Sequence, residues 1–156
     1  RLVLVGPTPC FLNDPPDYVG GFEREDLEGL LDIIEKNYIG WANYLAPLVA
    51  GTPGDSALSG ELSDSFCSTD PVVAKLFAQA TFFSDNRSDL QHVARPCLNL
   101  QHQIDALVPL EVGEFLHQHL KGSTLNVIEA TGHCAHMSHP ALVIEAMKRY
   151  FADQNT

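Results

Sequence analysis

The sequence predicts an α/β protein in which a parallel β-sheet is interrupted, after its first strand, by four helices. Two observations support this class. After residue 85, short apolar runs alternate with amphipathic segments, which is the strand–helix–strand–helix order of parallel layering. Before residue 85, apolar residues mostly recur at helical spacing instead.

The first predicted strand is the apolar run Leu2–Val5, which stops at Gly6 and Pro7. A continuous apolar run of this kind is typical of a strand that is fully buried inside a parallel sheet. Because such a strand needs neighbours on both sides, we expect the sequence to begin inside a larger protein. This core strand and its connection occupy residues 1–22.

A helical segment follows. Leu27, Leu30, Leu31 and Ile34 stand at i, i+3, i+4 and i+7, and the acidic first turn suits the helix dipole. This pattern predicts an amphipathic helix over residues 23–38.

Three further helices are predicted at residues 40–51, 59–66 and 68–83. The last of them carries a start signal, with Thr69 or Asp70 as the N-cap and Pro71 at the first helical position. With the first helix they make up a four-helix segment, residues 23–84.

Residues 85–156 return to alternating strands and helices and are predicted to form an α/β core. The patterns predict strands at 96–101 and 124–130, and helices at 110–120 and 138–154. Strands separated by helices in this order lie parallel in one sheet.

Composition excludes several classes of partner. The 156 residues carry 20 acidic and 9 basic side chains, a formal net charge of −11, which disfavours nucleic acids and anionic membrane surfaces. No apolar run reaches about 18 residues, so no membrane span is expected. The four cysteines form no C-x-x-C pair, and we expect reduced thiols in a cytoplasmic protein.

Two side chains with catalytic potential follow neighbouring predicted strands. Asp105 lies just past the strand that ends near Gln101, and His133 lies just past the strand that ends near Ala130. In a parallel α/β sheet, functional groups gather at the carboxyl ends of the strands. Asp followed by His in the chain matches the last two members of a Ser–Asp–His triad, in which the carboxylate orients the imidazole that accepts the serine proton.

Several longer stretches carry a family resemblance. They are "GPTPCFLNDPPDYVGGFE", "NYIGWANYLAPLV", "FCSTDPVVAKLFA", "FFSDNR" and "GHCAHMSHP". The sequence resembles the RsbQ-like group of the α/β-hydrolase superfamily, which includes a stress-response regulator and the karrikin and strigolactone receptors. The resemblance covers nearly all of the chain and implies the C-terminal part of an α/β-hydrolase fold.

The resemblance also implies roles for individual residues. Asp105 and His133 match the acid and the base of the family triad. The four-helix segment matches the family's lid over a hydrophobic pocket.

Pocket residues follow from the same resemblance. Trp41, Leu45 and Phe82 match positions that line the ligand cavity, with Tyr44 and Phe77 near them in the helices. The expected ligand is a small, mostly apolar molecule.

One departure from the family pattern is large, because the sequence contains no G-x-S-x-G nucleophile elbow. Ser56 and Ser59 are the nearest candidates, but they lie in the connector of the helical segment and lack the pattern. We therefore expect the serine about 20–35 residues before Arg1, a distance that one helix and one short loop fill. On its own, the chain is expected to be inactive.

The motif "GHCAHMSHP" allows further interpretations. His133, His136 and His139 have a spacing that suggests zinc, but Pro140 and the helix start at Ser138 direct the three side chains apart, so no metal is expected. Cys134 is a second candidate nucleophile, yet sequence neighbours usually point apart, which favours a packed cysteine. His136 and His139 are interpreted as loop and helix-capping residues.

Three further histidines, His102, His117 and His119, lack a comparable carboxylate partner in the sequence. His102 is left without a role, and His117 and His119 suit the last turn of a helix.

Two classes of function remain open at this point, beside the plainer interpretation of a helical interaction fragment with no activity. One is a serine hydrolase that acts on an ester or lactone of a small hydrophobic molecule, without a cofactor. The other is a ligand receptor or regulator with little turnover that acts through a partner protein. Turnover in the absence of a partner separates the two.

Overall fold

The computed structural model describes residues 1–54 and 56–153. Within these residues, three strands and seven α-helices follow one another, with a 3₁₀ helix at Arg87–His92. The elements are β1 Leu2–Val5, α1 Arg24–Lys36, α2 Tyr38–Ala50, α3 Ala57–Cys67, α4 Pro71–Phe82, β2 Cys97–Ile104, α5 Leu110–His119, β3 Ser123–Thr131, α6 Ala135–Ser138 and α7 Pro140–Asp153.

The described strands form one parallel sheet in the order β1-β2-β3, which confirms the predicted parallel layering. Val5 pairs with Leu100, and His102 pairs with Ile128. The register of β2 against β3 shifts between His102 and Ile104, directly before the chain leaves β2. Because β2 and β3 are parallel neighbours, the loops after them emerge side by side.

The expectation of a fully buried first strand is wrong for the described residues. Leu2 is 41% exposed, and the other three residues of β1 are half-buried. Within the described part of the chain, β1 pairs with β2 on one side and lies at the edge of the sheet. An apolar sequence reports hydrophobicity, whereas burial depends on which strands and helices cover it.

Helices cover both faces of the sheet. On one face, Cys97 packs with Val112 and Leu116 of α5. On the other face, Leu98 and Leu100 pack with α7, whose apolar stripe includes Val143. Alternate residues of β2 therefore enter two different cores, as the period of a β-strand requires.

The four-helix segment has its own apolar contacts. Ile34 of α1, Trp41 and Ala42 of α2, and Ala78 of α4 form one buried cluster. A second cluster joins α2 and α3 and has Cys134 and Met137, around α6, packed against it. The segment is thereby attached to the turn that follows β3.

The start of α4 agrees with the prediction, whereas the last predicted helix differs. Asp70 is the N-cap of α4 and accepts hydrogen bonds from the amides of Val72 and Val73, which decides between Thr69 and Asp70. Instead of one helix from residue 138, the chain forms the short α6 and then α7 from Pro140. Gln154, the predicted last helical residue, lies outside the described residues.

None of the described helices is long and apolar enough to cross a bilayer. All four cysteines are free thiols.

Candidate functional site

The site lies at the carboxyl ends of β2 and β3. Asp105 directly follows β2, and His133 follows β3 after the single turn residue Gly132. The Nδ1 atom of His133 lies 2.8 Å from the Oδ2 atom of Asp105, a hydrogen-bond distance. The structure thus brings together the two residues that the sequence singled out, across 28 positions of chain.

The Asp105 carboxylate is buried and well held. Its Oδ1 atom accepts hydrogen bonds from the amides of Leu107 and Val108, at 2.8 and 3.2 Å. Burial alone would raise the pKa of Asp105, but the facing imidazoles of His102 and His133 and the Leu107 amide outweigh it. The pKa of Asp105 lies well below its ordinary value, and the group is a carboxylate at neutral pH.

His133 is fixed through both its backbone and its ring. Its amide donates a hydrogen bond to the carbonyl of Val49 in α2, at 2.8 Å, and the Cys134 amide donates to the same carbonyl at 3.0 Å. Because Nδ1 faces Asp105, the second ring nitrogen, Nε2, is the atom left for proton exchange. The side chain is 26% exposed and belongs to the wall of a cavity.

Two glycines allow α2 to approach the turn that carries His133. Gly51 caps α2 at a φ of +67°, and Gly132 has a φ of +92°. A Cβ atom on Gly132 would overlap the amide of Gly51 and the carbonyl of Ala50, and a Cβ on Gly51 would overlap the backbone of Thr131 and Gly132. Only glycine fits either position.

A cavity of about 560 Å³ opens between the four-helix segment and this turn. The predicted pocket residues Trp41, Leu45 and Phe82 all lie in its wall, as do Phe77 and His133. Its described lining contains no Asp, Glu, Lys or Arg and is almost entirely apolar.

Tyr44 is the exception among the residues expected near the pocket. It is 62% exposed and does not contribute to the described lining. Tyr44 is adjacent to Leu45 in α2, so its side chain is rotated by about 100° around the helix axis from that of Leu45.

His102 has a carboxylate neighbour that the sequence interpretation missed. Its ring is completely buried, and its Nδ1 atom lies 3.5 Å from Asp105 Oδ2. The signal was the period of β2, which places His102 on the same inward face as Leu98 and Leu100. The register shift after His102 then turns the chain so that Asp105 comes back towards the ring.

Ser56 and Ser59 have a structural explanation. Ser56 is the N-cap of α3 and accepts a hydrogen bond from the Ser59 amide. The two hydroxyls and that of Thr52 lie within 3.0 Å of one another, and Ser59 also donates to the Pro53 carbonyl.

The cysteine and the two later histidines of "GHCAHMSHP" lie in surroundings that differ from those of His133. Cys134 is half-buried beside the cavity, and burial raises the pKa of its thiol, so the thiolate is disfavoured. His136 is exposed, and the Nδ1 atom of His139 lies 2.8 Å from the Ser138 hydroxyl. Among the described residues, no three metal-binding side chains are grouped to hold an ion.

Comparison with known proteins supports one family. The α/β-hydrolase family model described as TAP-like protein matches residues 64–156. The Petunia hybrida protein named karrikin insensitive 2 receptor CA is 40% identical over 151 residues, which cover 96% of this chain and 56% of the relative. The probable esterase D14L of Oryza sativa is also 40% identical, over 96% of this chain and 55% of the relative.

A solved structure extends the comparison to the fold. A hydrolase from Oleispira antarctica, olei00960, superimposes with a TM-score of 0.90 and 51% identity, over 99% of this chain and 56% of that chain. This chain spans about half the length of the curated relatives it matches. The expected α/β-hydrolase fold, with parallel strands and flanking helices, is confirmed. The chain belongs to the α/β-hydrolase superfamily, within the family described as TAP-like protein.

Proposed function

We propose that this chain supplies the acid and the base of a serine-hydrolase triad, Asp105 and His133, in a protein that hydrolyses an ester or lactone of a small apolar molecule. One observation carries the proposal. The His133 ring is held by a buried carboxylate at 2.8 Å and stands in the wall of an apolar cavity.

The geometry suits general acid–base chemistry. With the Nδ1 proton held by Asp105, the Nε2 atom of His133 accepts the proton of an attacking hydroxyl. The imidazolium that forms is stabilised by the carboxylate, whose depressed pKa keeps it ionised. The imidazolium then donates its proton to the leaving alcohol as the acyl group passes to the nucleophile.

The nucleophile is proposed to come from outside the printed sequence. The printed sequence has no G-x-S-x-G motif, and Ser56 and Ser59 are engaged in capping α3. A serine presented to Nε2 of His133 by another segment would complete the triad.

The cavity suggests the substrate class. The described lining has no Asp, Glu, Lys or Arg. A charged group on a bound substrate would therefore be buried without a partner, which costs several kcal/mol. We therefore propose an uncharged apolar substrate, with the four-helix segment, residues 23–84, acting as a lid over it. Trp41, Leu45 and Phe82 would contact the substrate from that segment.

A second candidate function rests on the match to a relative named as a receptor. In that case the same cavity binds a small hydrophobic ligand, and a regulatory partner protein reads the ligand-bound state with little turnover. The residues of the site are the same in both candidates, so turnover decides between them.

The full-length protein, expressed from its complete reading frame, provides the test. We expect repeated turnover of p-nitrophenyl butyrate without a partner, and stoichiometric inactivation by a fluorophosphonate that reacts with activated serines. A protein that neither hydrolyses short esters nor reacts with the fluorophosphonate contradicts the hydrolase proposal. Release of a single equivalent of p-nitrophenol, with no further turnover, favours the receptor.

A further inference from the structure

His102 is a buried titratable side chain that the proposed chemistry does not use. The residue is 0% exposed, and within the described residues neither ring nitrogen has a hydrogen-bond partner of good geometry. Burying a polar group without a hydrogen-bond partner costs free energy, so another favourable interaction is expected near the ring. The polar atom that its Nδ1 faces is Asp105 Oδ2, at 3.5 Å.

Two imidazoles therefore face one carboxylate oxygen. His133 Nδ1 lies 2.8 Å from Asp105 Oδ2, and His102 Nδ1 lies 3.5 Å from the same atom. The two rings are edge to face, with centroids 6.4 Å apart. A Cβ atom on Gly6 would lie 3.2 Å from the Cε1 atoms of both, so the backbone at the end of β1 packs against the pair.

The charge of Asp105 determines which tautomer His102 adopts. A lone pair on Nδ1 would point at an anionic oxygen in a buried setting, which is repulsive, whereas an Nδ1–H group is attracted to it. His102 should thus carry its proton on Nδ1. The 3.5 Å separation is too long for a strong hydrogen bond, so the attraction is mainly electrostatic.

We propose that His102 is a positioning residue for the Asp105–His133 pair, in which its Nδ1–H competes for Asp105 Oδ2 and so weakens the hydrogen bond between His133 and that carboxylate. The inference rests on the proposed function for its catalytic meaning. The underlying arrangement, in which two imidazoles share one carboxylate oxygen, is measurable without any substrate.

Among the residues that the structure describes, the titratable groups that face His133 are few. Asp105 and His102 face it from the end of β2, and Cys134 is its neighbour in the chain and also senses the charge of Asp105. Gly6, directly after β1, and Val49 of α2 also lie against His133, and neither brings a charge. The nearby His136 is exposed.

Substitution of His102 tests the competition. In the full-length protein, His102→Leu removes the polar ring, whereas His102→Asn retains an N–H group near the position of Nδ1. His119→Leu, at the far end of α5, is the control. The readout is the proton NMR signal of the His133 Nδ1–H group, which moves downfield as its hydrogen bond to Asp105 strengthens.

We expect His102→Leu to move this signal further downfield, since Asp105 Oδ2 then accepts a hydrogen bond from His133 alone. His102→Asn should restore a value close to that of the wild type, and His119→Leu should change nothing. An unchanged or upfield-shifted signal in His102→Leu, or an equal effect of the Leu and Asn variants, overturns the proposal.

The wild-type protein provides a second test that no folding defect can obscure. Nitrogen-15 NMR of the His102 ring should show the proton on Nδ1, and a ring protonated on Nε2 alone overturns the proposal. An active esterase without these signatures contradicts the role of His102 but leaves the triad. If the NMR signatures are found but the protein has no esterase activity, the proposed hydrolase function is contradicted and the arrangement of His102, Asp105 and His133 stands.

Discussion

Gly51 and Gly132 meet backbone to backbone where the end of α2 touches the turn that carries His133. On the α2 side, the Val49 carbonyl accepts hydrogen bonds from the amides of His133 and Cys134. The position of the histidine therefore depends on a helix of the four-helix segment as well as on the strand that precedes it. Cavity wall and imidazole are parts of one packed unit.

Replacing Gly132 tests this contact. Gly132→Ala adds a Cβ that overlaps the backbone of Ala50 and Gly51, in addition to the strain of a positive φ. Gly122→Ala is the matched control, because Gly122 also has a positive φ, +74°, but has open space around it. We expect about 1 kcal/mol of destabilisation for Gly122→Ala and a further ~1–3 kcal/mol for Gly132→Ala in urea unfolding. Equal losses would show that the close contact does not matter.

Asp105 predicts an acid dependence of stability. Its pKa in the folded protein is below the ordinary 3.8, so the unfolded state binds its proton first as the pH falls. The stabilisation is complete above the unfolded value and is lost as the pH drops through and below it. We expect Asp105→Asn to flatten the fall in unfolding free energy between about pH 5 and 3, by up to ~1.4 kcal/mol per pH unit.

The control for this measurement is Asp89→Asn, at an exposed aspartate of the 3₁₀ helix. It should leave the slope of stability against pH close to that of the wild type. Identical slopes for the wild type and Asp105→Asn would contradict the depressed pKa.

The exposed side of α4 allows the cavity to be tested without damage to the core. Phe77 is 72% exposed yet lines the cavity, whereas Val72 on the same helix is 68% exposed and lies outside the described lining. Phe77→Ala should weaken binding of the apolar dye Nile red by about three- to tenfold, since apolar contact area is lost. Val72→Ala should leave the affinity unchanged, and both variants should keep their melting temperatures within a few degrees.

A comparable loss in both variants would mean that the dye binds the outer face of α4 rather than the cavity. Unchanged dye binding in Phe77→Ala would show that Phe77 does not line the cavity in solution.

Sequence patterns predicted most helices and strands, because interactions between residues close in the chain determine where these elements form. Asp70 and Pro71 mark the start of α4 through capping and a preset φ, which depend on neighbours in the chain. Asp105 and His133 could be paired in advance because the ends of adjacent parallel strands meet whatever the details of packing.

Features that depend on close packing between distant segments could not be predicted. The Gly51–Gly132 contact joins a helix to a distant turn, and nothing near either glycine in the sequence indicates its partner. His102 was passed over for a related reason, because its approach to Asp105 depends on a register shift at the end of β2. The edge position of β1 likewise follows from strand order rather than from composition.

The most direct measurement compares His133→Ala with His136→Ala in the full-length protein, by the rate of hydrolysis of p-nitrophenyl butyrate. His133 faces Asp105 at 2.8 Å in the cavity wall, whereas His136 is exposed on α6. The account predicts a loss of about 10³-fold or more in kcat/KM for His133→Ala, because the nucleophile loses its general base, and less than about threefold for His136→Ala. Retained turnover in His133→Ala, or equal losses in the two variants, would contradict it.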